Sequence, residues 1–227
     1  MSTTPHAEKV VAIDGPSGSG KSTIARGVAE ALGLEMLDTG AMYRAVAYGV
    51  LLSGVDPNDA AAVTTVAENA AIVVQHGVTT LAGADISAEI RGPAVTQLVS
   101  QIAAVPDVRR ALVARQRAWV EQHHGGVVEG RDIGSVVFPQ ARVKVYLTAS
   151  EGERARRRQQ DEADAKRGVS VADMQSSMAQ RDAADSNRAV SPLRTADGAT
   201  IVDTTGRPPE LIVAEIVDRY RAAEGAS

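Results

Sequence analysis

The chain has 227 residues, of which 44% are hydrophobic and 23% charged, and its formal net charge is −4. This composition is ordinary for a soluble globular protein, and the chain is long enough to bury a substantial core. The absence of cysteine excludes disulfide frameworks, thiolate nucleophiles and cysteine-ligated zinc. Because aromatic residues make up only 3% and the net charge is negative, neither nucleic acid nor an anionic membrane is favoured as a partner.

The first part of the chain alternates short apolar runs, typical of buried parallel strands, with segments of helical periodicity. In order, we predict a strand at 10–13, a helix over 21–32, a strand at 35–37, a helix over 41–52 and a helix ending near residue 69. A glycine-rich turn joins the first strand to the first helix, which is typical of the beginning of a βαβ unit.

The segment 71–86 has a different pattern. It contains three short strand candidates joined at Gly77 and Gly83, which predict a small antiparallel sheet. Because the alternation of strands and helices resumes afterwards, we interpret this segment as an insertion rather than a separate domain.

The remainder of the chain again alternates helices with short apolar strands. We predict helices over 93–104 and 106–123, strands at 127–129 and 143–147, helices over 151–167 and 171–184, a strand at 200–202 and a helix over 209–222. Five apolar strands alternating with helices predict an α/β fold whose parallel sheet is covered on both faces by helices. No linker is long enough to divide the chain, so we expect a single domain.

One motif predicts the chemistry. Residues 15–22, GPSGSGKS, match the pattern G-x-x-x-x-G-K-[ST] in full, and chance produces such a match in roughly 1% of chains of this length. The glycines let successive backbone N–H groups point at phosphate oxygens at the N-terminus of a helix. Lys21 supplies charge to the β- and γ-phosphates, and the Ser22 hydroxyl suits Mg²⁺. The motif therefore predicts binding of a nucleoside triphosphate.

A triphosphate site is compatible with a switch GTPase, an energy-coupling ATPase or a small-molecule kinase. The guanine-reading segment Asn-Lys-x-Asp is absent, because none of the four lysines follows an asparagine. The candidate acidic strand end of an ATPase, Glu129, is followed at once by Gly-Arg-Asp, a segment rich in charge that pairs with phosphate. A kinase needs arginines around a second phosphate site, and this alternative is favoured. The candidates at loops or helix ends are Arg44, Arg131, Arg181 and Arg188.

Four segments together resemble the bacterial cytidylate kinases. They are 13–21 (IDGPSGSGK), 37–44 (LDTGAMYR), 129–139 (EGRDIGSVVFP) and 181–193 (RDAADSNRAVSPL). The resemblance runs from about residue 10 to residue 220, and it implies transfer of the γ-phosphoryl group of ATP to CMP or dCMP with Mg²⁺. It also implies a five-stranded parallel sheet of the P-loop NTPase type, with an inserted NMP-binding subdomain and a helical lid. The implied bounds are 9–40, 106–150 and 195–227 for the core, 41–105 for the NMP-binding subdomain with a β insertion at 70–90, and 151–190 for the lid.

The resemblance also implies roles for individual residues. The ATP-binding residues are Gly15, Pro16, Ser17, Gly18, Ser19, Gly20, Lys21, Ser22 and Thr23, with Ser22 as the ligand of Mg²⁺. The acceptor phosphate is held by Thr39, Arg44, Arg131 and Arg188, the cytosine edge is read by Ser100, Arg109 and Asp132, and the ribose is bound by Arg181 and Asp185. Lys21, Arg131 and Arg188 are implied as catalytic. Many members have serine at the position of Thr39, but the hydroxyl is retained.

The implied reading of cytosine is chemically sound. The exocyclic N4 of cytosine donates to a carboxylate, while N3 and O2 accept from arginine or hydroxyl donors. Uracil presents an acceptor at O4 and a donor at N3, so the same side chains would face unpaired polar groups, which is a strong form of discrimination.

The function of one basic cluster stays open at this level. Arg154, Arg156, Arg157 and Arg158 are compatible with a solvated helix face or with a lid that closes over the phosphates. Two other functions also remain: a kinase for another small acceptor such as UMP or a sugar acid, and a module whose ATP binding switches a partner surface. We expect a cytoplasmic monomer without a signal peptide or membrane span.

Overall fold

The computed structural model describes residues 6–164 and 171–225 and contains eight strands and eight α-helices in these ranges. The strands are β1 (Val10–Asp14), β2 (Met36–Asp38), β3 (Ile72–Gln75), β4 (Val78–Leu81), β5 (Ala84–Asp85), β6 (Gly126–Gly130), β7 (Val143–Thr148) and β8 (Thr200–Asp203). The helices are α1 (Lys21–Leu32), α2 (Thr39–Ser53), α3 (Ala60–Asn69), α4 (Pro93–Ala104), α5 (Pro106–Gln122), α6 (Glu151–Asp164), α7 (Val171–Asn187) and α8 (Pro209–Gly225).

Five of the strands form a parallel sheet in the order β2-β6-β1-β7-β8. The register pairs Asp14 of β1 with Gly130 of β6, and Asp38 of β2 with Glu129 of β6. The carboxyl ends of β1, β2 and β6 therefore meet at one edge of the sheet. This is the edge at which parallel α/β sheets place their ligands.

The two faces of this sheet are covered by different helices. Along β1, Val10 and Ala12 belong to a core that includes residues of α2, α4 and α5. Val11 and Ile13 belong to a second core with residues of α1 and α8. The alternation follows from the two-residue period of a strand, and it explains why the strand is apolar throughout.

Strands β3, β4 and β5 form a separate antiparallel sheet. The β3–β4 turn contains Gly77 at a φ of +79°, a conformation that glycine adopts without strain. Val74 and Thr79 are buried, whereas Val73 is 55% exposed, so only one face of this small sheet packs against the rest of the protein.

The predicted order of elements and the α/β fold class are confirmed. Observed boundaries lie within about three residues of the predicted ones. The C-terminal boundary of α6 is not compared, because the helix is described to Asp164 and its predicted end at 165–167 lies outside the described residues. Helices do not cover both faces of the sheet along the whole of β8. This strand lies at the edge of the sheet, and its Ile201 is 62% exposed. None of the described helices has the length and apolar character needed to cross a bilayer.

Candidate active site

Residues 15–20 of the motif form a tight loop between the end of β1 and the start of α1, called the P-loop below, and Lys21 and Ser22 begin the helix. Gly20 lies in the left-handed region at a φ of +88° and provides the N-cap of α1. A Cβ atom on Gly15 would lie 2.3 Å from the backbone oxygen of Leu147 in β7, so only glycine fits at the start of the loop. These two glycines allow the loop to curl over the carboxyl end of the sheet.

Lys21 lies at the base of this loop and is only 8% exposed. Its Nζ donates to the backbone oxygen of Pro16 at 2.8 Å. Burial and, secondarily, the nearby Arg131 guanidinium lower the pKa of Lys21 to about 7, although the carboxylates of Glu129 and Asp182 act in the opposite direction. An anionic phosphate beside Lys21 would restore its preference for the charged form.

Two acidic residues close the site beneath the loop. Asp14 accepts from the backbone N–H groups of Ile133 and Gly134, both at 2.8 Å, and it thereby ties β1 to the π-helical turn Ile133–Val137. Burial raises the pKa of Asp14 to about 6. Burial and the adjacent Asp38 raise the pKa of Glu129 to about 7.

Of these two carboxylates, that of Glu129 is the more available to bind a further group. Its Oε1 atom is buried and has no hydrogen-bond partner in the described part of the chain. Ser22, at the start of α1, interacts with this carboxylate and acts to lower its pKa. A hydroxyl and a carboxylate with a spare oxygen form a donor set that suits a hard cation such as Mg²⁺. Within residues 6–164 and 171–225, no group of three or more His, Asp or Glu side chains is arranged to hold a metal by itself.

Arg131 connects the loop to α7. Its Nε donates to Asp185 at 2.9 Å, its Nη1 to the backbone oxygen of Gly15 at 2.8 Å and its Nη2 to the Ser17 hydroxyl at 2.8 Å. The Arg131 guanidinium therefore contacts the P-loop on one side and an acidic residue of α7 on the other. This is a suitable position for a cation between two phosphate groups.

Three charged residues at the C-terminal end of α7 lie close together. Arg181 and Asp185 are four residues apart on one face of the helix, and Arg188 follows directly after its last residue. Burial and the nearby Arg131 lower the pKa of Arg181 to about 10. The guanidinium of Arg188 lies 3.8 Å from the carboxylate of Asp185 and 3.7 Å from that of Asp132.

Arg109 and Asp132 form a buried ion pair beside Arg188. Arg109 belongs to α5, whereas Asp132 follows β6, and both side chains are almost fully covered. Arg109 also donates to the backbone oxygen of Ala103 at 3.3 Å, and its guanidinium lies 5.3 Å from the ring centre of Tyr43. The pair thus places an acid and a donor group side by side next to the ring of Tyr43.

Thr39 and Arg44, both in α2, are held in different ways. The Thr39 hydroxyl donates to the backbone oxygen of Glu129 at 2.7 Å. Arg44 donates to the backbone oxygen of Ile90 at 2.8 Å and to the Thr96 hydroxyl at 3.1 Å. Burial, followed by the charge of Arg181, lowers the pKa of Arg44 to about 9, which shows that several cations share this region.

Ser100 is the one implied contact that has no direct link to its expected neighbours. It lies half-buried in α4, one turn beyond Thr96, and makes no hydrogen bond to Arg109 or Asp132 in the described part of the protein. Its helix face is nevertheless the face that Arg44 contacts through Thr96.

The structure separates the arginines of the basic cluster in α6. Arg154 donates to the backbone oxygen of Ser17 at 3.1 Å, and Arg157 donates to the hydroxyl and backbone oxygen of Thr204, both at 2.8 Å. Arg156 is 67% exposed and pairs with Glu153 of its own helix. Arg154 therefore contacts the P-loop and Arg157 contacts Thr204, whereas Arg156 lies on a solvated face of the helix.

Asp182 and Glu129 are acidic residues of this region that were not among the candidate site residues from the sequence. Asp182 contacts the loop at Ser17, and Glu129 contributes the spare carboxylate oxygen beneath it. Glu129 had a signal, since an acidic residue at the end of an apolar strand is typical of P-loop proteins. Asp182 lies in the segment 181–193 that carries the resemblance, but no local pattern indicates its contact with Ser17, which is 165 positions away in the chain.

Comparisons with known proteins show the family to which the chain belongs. The family model described as cytidylate kinase matches residues 11–222. The chain belongs to the cytidylate kinase family. It is 45% identical over 217 residues to the cytidylate kinase of Mycobacterium leprae (strain Br4923), covering 96% of this chain and 97% of that protein. It is 47% identical over 213 residues to the cytidylate kinase of Nocardia farcinica (strain IFM 10152), covering 92% and 90%.

Two further matches are to a longer bifunctional protein and to a solved structure. A bifunctional pantoate ligase/cytidylate kinase of Synechococcus sp. (strain JA-2-3B'a(2-13)) is 44% identical over 226 residues, but this match covers only 42% of that protein. Among solved structures, an uncharacterized protein from Eubacterium ventriosum ATCC 27560 superposes with a TM-score of 0.53 at 12% identity, covering 95% of this chain and 99% of that one. At this identity the likeness concerns the fold alone.

Proposed function

We propose that the protein transfers the γ-phosphoryl group of ATP to CMP or dCMP, giving ADP and CDP or dCDP. Membership of the cytidylate kinase family supports this activity. The observation that carries it is the buried Arg109–Asp132 pair, which lies next to an arginine cluster that reaches the P-loop. A nucleotide base and its phosphate thus find complementary groups in one continuous site.

The Arg109–Asp132 pair supplies what cytosine requires. The Asp132 carboxylate accepts from the N4 amino group, and the Arg109 guanidinium donates to N3 or O2, with Ser100 as a further donor. Uracil would place its O4 acceptor against the carboxylate, and neither group would be satisfied. Arg181 and Asp185 are then the partners of the ribose hydroxyls.

On the donor side, residues 15–23 form the ATP-phosphate site. The phosphates are held by Lys21 and by backbone N–H groups other than that of Ser17, which donates to Asp182. Ser22 would hold Mg²⁺, with the spare carboxylate oxygen of Glu129 as a further oxygen donor. The ion, when bound, neutralises negative charge on the β- and γ-phosphates.

The transfer is a direct in-line displacement without a covalent enzyme intermediate. The acceptor phosphate is already an anionic nucleophile near neutral pH, so no dedicated general base is needed. Thr39, Arg44, Arg131 and Arg188 position the acceptor phosphate, and catalysis rests on positioning and on charge neutralisation. Lys21, Arg131 and Arg188 are the catalytic residues in this proposal.

The same proposal assigns functions to segments of the chain. Residues 41–105 form the acceptor-binding subdomain with the β insertion at 70–90. Helices α6 and α7 form a lid over the core, which comprises 9–40, 106–150 and 195–227. The enzyme acts as a monomer in the cytoplasm.

An assay of ADP formation with Mg-ATP, in the presence and absence of CMP, tests the reaction class. We expect ADP to form only when CMP is added, with CDP in equal amount. ADP formation without an acceptor would favour an ATPase. Binding of ATP without any turnover would favour a module that switches a partner surface.

A further inference from the structure

All three polar atoms of Ser17 are engaged by charged side chains from three different elements. Its backbone N–H donates to Oδ1 of Asp182 in α7 at 2.9 Å. Its backbone oxygen accepts from Nη1 of Arg154 in α6 at 3.1 Å, and its hydroxyl accepts from Nη2 of Arg131 at 2.8 Å. The third residue of the P-loop is therefore the point at which the two lid helices and the acceptor-side arginine meet the donor site.

Asp182 closes this arrangement into a ring. Its Oδ1 accepts from Ser17, and its Oδ2 forms an ion pair with Arg154, which in turn donates to the oxygen of Ser17. The side chains of Arg154 and Asp182 are 15% and 16% exposed, so solvent screens this pair less than it screens a surface pair. A charge-assisted pair that also bonds the backbone fixes the orientation of the guanidinium.

The packing around the next residue supports the same contact. A Cβ atom on Gly18 would lie 2.8 Å from Cε of Met178 in α7 and 2.9 Å from the backbone oxygen of Arg154 in α6. Both helices therefore pack directly on the tip of the loop, and the missing side chain of Gly18 makes this approach possible.

Asp182 also balances part of the positive charge around the P-loop. Arg131, Arg154 and Lys21 surround the loop, and like charges in a buried site repel each other strongly. Asp182 counters them through its ion pair with Arg154.

We propose that Asp182 is a positioning residue for phosphoryl transfer, which holds Arg154 against the P-loop at Ser17 so that its guanidinium faces the transferring phosphate. This inference rests on the proposed kinase function. It goes further by assigning a role to a residue of α7 that touches neither nucleotide in this function. The role is distinct from that of Arg181 and Asp185, which bind the acceptor.

Three variants and a control test this role. Asp182→Ala removes both contacts, and we expect kcat to fall by roughly 10- to 100-fold, as for other losses of precise positioning. Asp182→Asn keeps an oxygen for the Ser17 N–H but loses the ion pair, so we expect a fall of about tenfold. Arg154→Ala should match Asp182→Ala. The control is Asp197→Asn, which removes an exposed carboxylate before β8 and should leave kcat unchanged.

The combination of two variants separates positioning from general damage. If Asp182 acts through Arg154, the double variant Asp182→Ala/Arg154→Ala loses no more than about twofold beyond either single variant. The KM for CMP should stay within about twofold of wild type, because Arg109, Asp132 and Arg188 are unaffected. The proposal would be overturned if the losses of the two single variants multiply in the double variant. A kcat of Asp182→Ala that is within twofold of wild type, or above it, would also overturn it.

Hydrogen exchange of the P-loop peptide gives a readout that does not depend on the acceptor. Loss of the bond from the Ser17 N–H should speed exchange of this amide by about tenfold or more in Asp182→Ala, and leave it unchanged in Asp197→Asn. Faster exchange with an unchanged kcat would overturn the inference while the kinase function stands. If exchange is faster in Asp182→Ala but the wild-type protein does not phosphorylate CMP, the proposed function is contradicted instead. Asp182→Asn provides the same kinetic test if Asp182→Ala does not fold.

Discussion

The guanidinium of Arg109 and the carboxylate of Asp132 form a buried ion pair. The Arg109 side chain is 3% exposed and the Asp132 side chain is 6% exposed. Removing two charges from water is costly, and the attraction between them offsets this cost only when the geometry is good. Arg188 adds a second cation 3.7 Å from the same carboxylate. The proposed function accounts for this buried cluster, because cytosine requires a fixed acid and a fixed donor side by side.

The first prediction concerns Asp132→Ala. We expect kcat/KM for CMP to fall by roughly 10³-fold, because the N4 amino group of cytosine loses its acceptor, while the KM for ATP changes by less than twofold. The free energy of unfolding should fall by about 3–5 kcal/mol, because Arg109 is left buried without its partner. Steady-state kinetics for both nucleotides and urea unfolding measure these effects. Asp107→Asn, an exposed carboxylate on α5, is the control, and equal losses for CMP and ATP would refute the role of Asp132 in reading the base.

A second prediction concerns Lys21→Met. We expect kcat to fall by at least about 10³-fold, because the charge on the β- and γ-phosphates loses its closest cation. Stability should not fall, because methionine has a similar length and burial already disfavours the charged lysine. Single-turnover kinetics and thermal unfolding test both parts. Turnover within tenfold of wild type in a folded Lys21→Met protein would show that another group neutralises the phosphates.

The third prediction concerns pH. Lys21 must be protonated to bind phosphate, and its pKa is lowered to about 7 in this structure, with Arg131, Glu129, Asp182 and Asp14 as the charges that face it. Because a lysine loses its charge as pH rises through its pKa, kcat/KM for ATP should decline above about pH 7, by up to about tenfold per pH unit.

The pH dependence of kcat should differ from that of kcat/KM. Bound phosphates raise the pKa of Lys21, so kcat at saturating ATP should hold to a higher pH. Profiles between pH 5.5 and 9.5 at saturating CMP test this difference. A kcat/KM that stays constant to pH 9 would show that Lys21 is fully charged before ATP binds.

Much of the fold was predictable from the sequence because short apolar strands, glycine stops and proline starts mark the elements. The helix over 93–104, for example, begins at Pro93 in the structure as predicted. The strand order was not predictable, since β2 pairs with β6 across almost 90 residues of chain and no local pattern specifies this. The contact of Asp182 with Ser17 is of the same kind. Local chemistry predicts the P-loop, but it does not predict which distant side chain will contact it.

A fourth prediction separates the packing at Gly18 from its backbone conformation. Gly18 and Gly54 both have positive φ angles, +73° and +64°, but a Cβ atom on Gly54 would meet nothing within 4 Å. Both Gly18→Ala and Gly54→Ala should cost about 1–2 kcal/mol of stability through the left-handed backbone, and Gly18→Ala should cost more, because its Cβ also lies 2.9 Å from the backbone oxygen of Arg154. Only Gly18→Ala should lower kcat, by about tenfold, because its Cβ displaces α6 and α7 from the loop. If both variants keep the wild-type kcat, the contact between these helices and the P-loop has no role in transfer.

The measurement that tests the central claim most directly is a coupled assay of ADP formation with Mg-ATP and each of CMP, dCMP, UMP, AMP and GMP. The Arg109–Asp132 pair predicts turnover of CMP and dCMP, with kcat/KM for UMP lower by at least about 10²-fold. Equal use of CMP and UMP would contradict the reading of cytosine by Asp132. Turnover of none of the five by folded protein that binds ATP would contradict the kinase account itself.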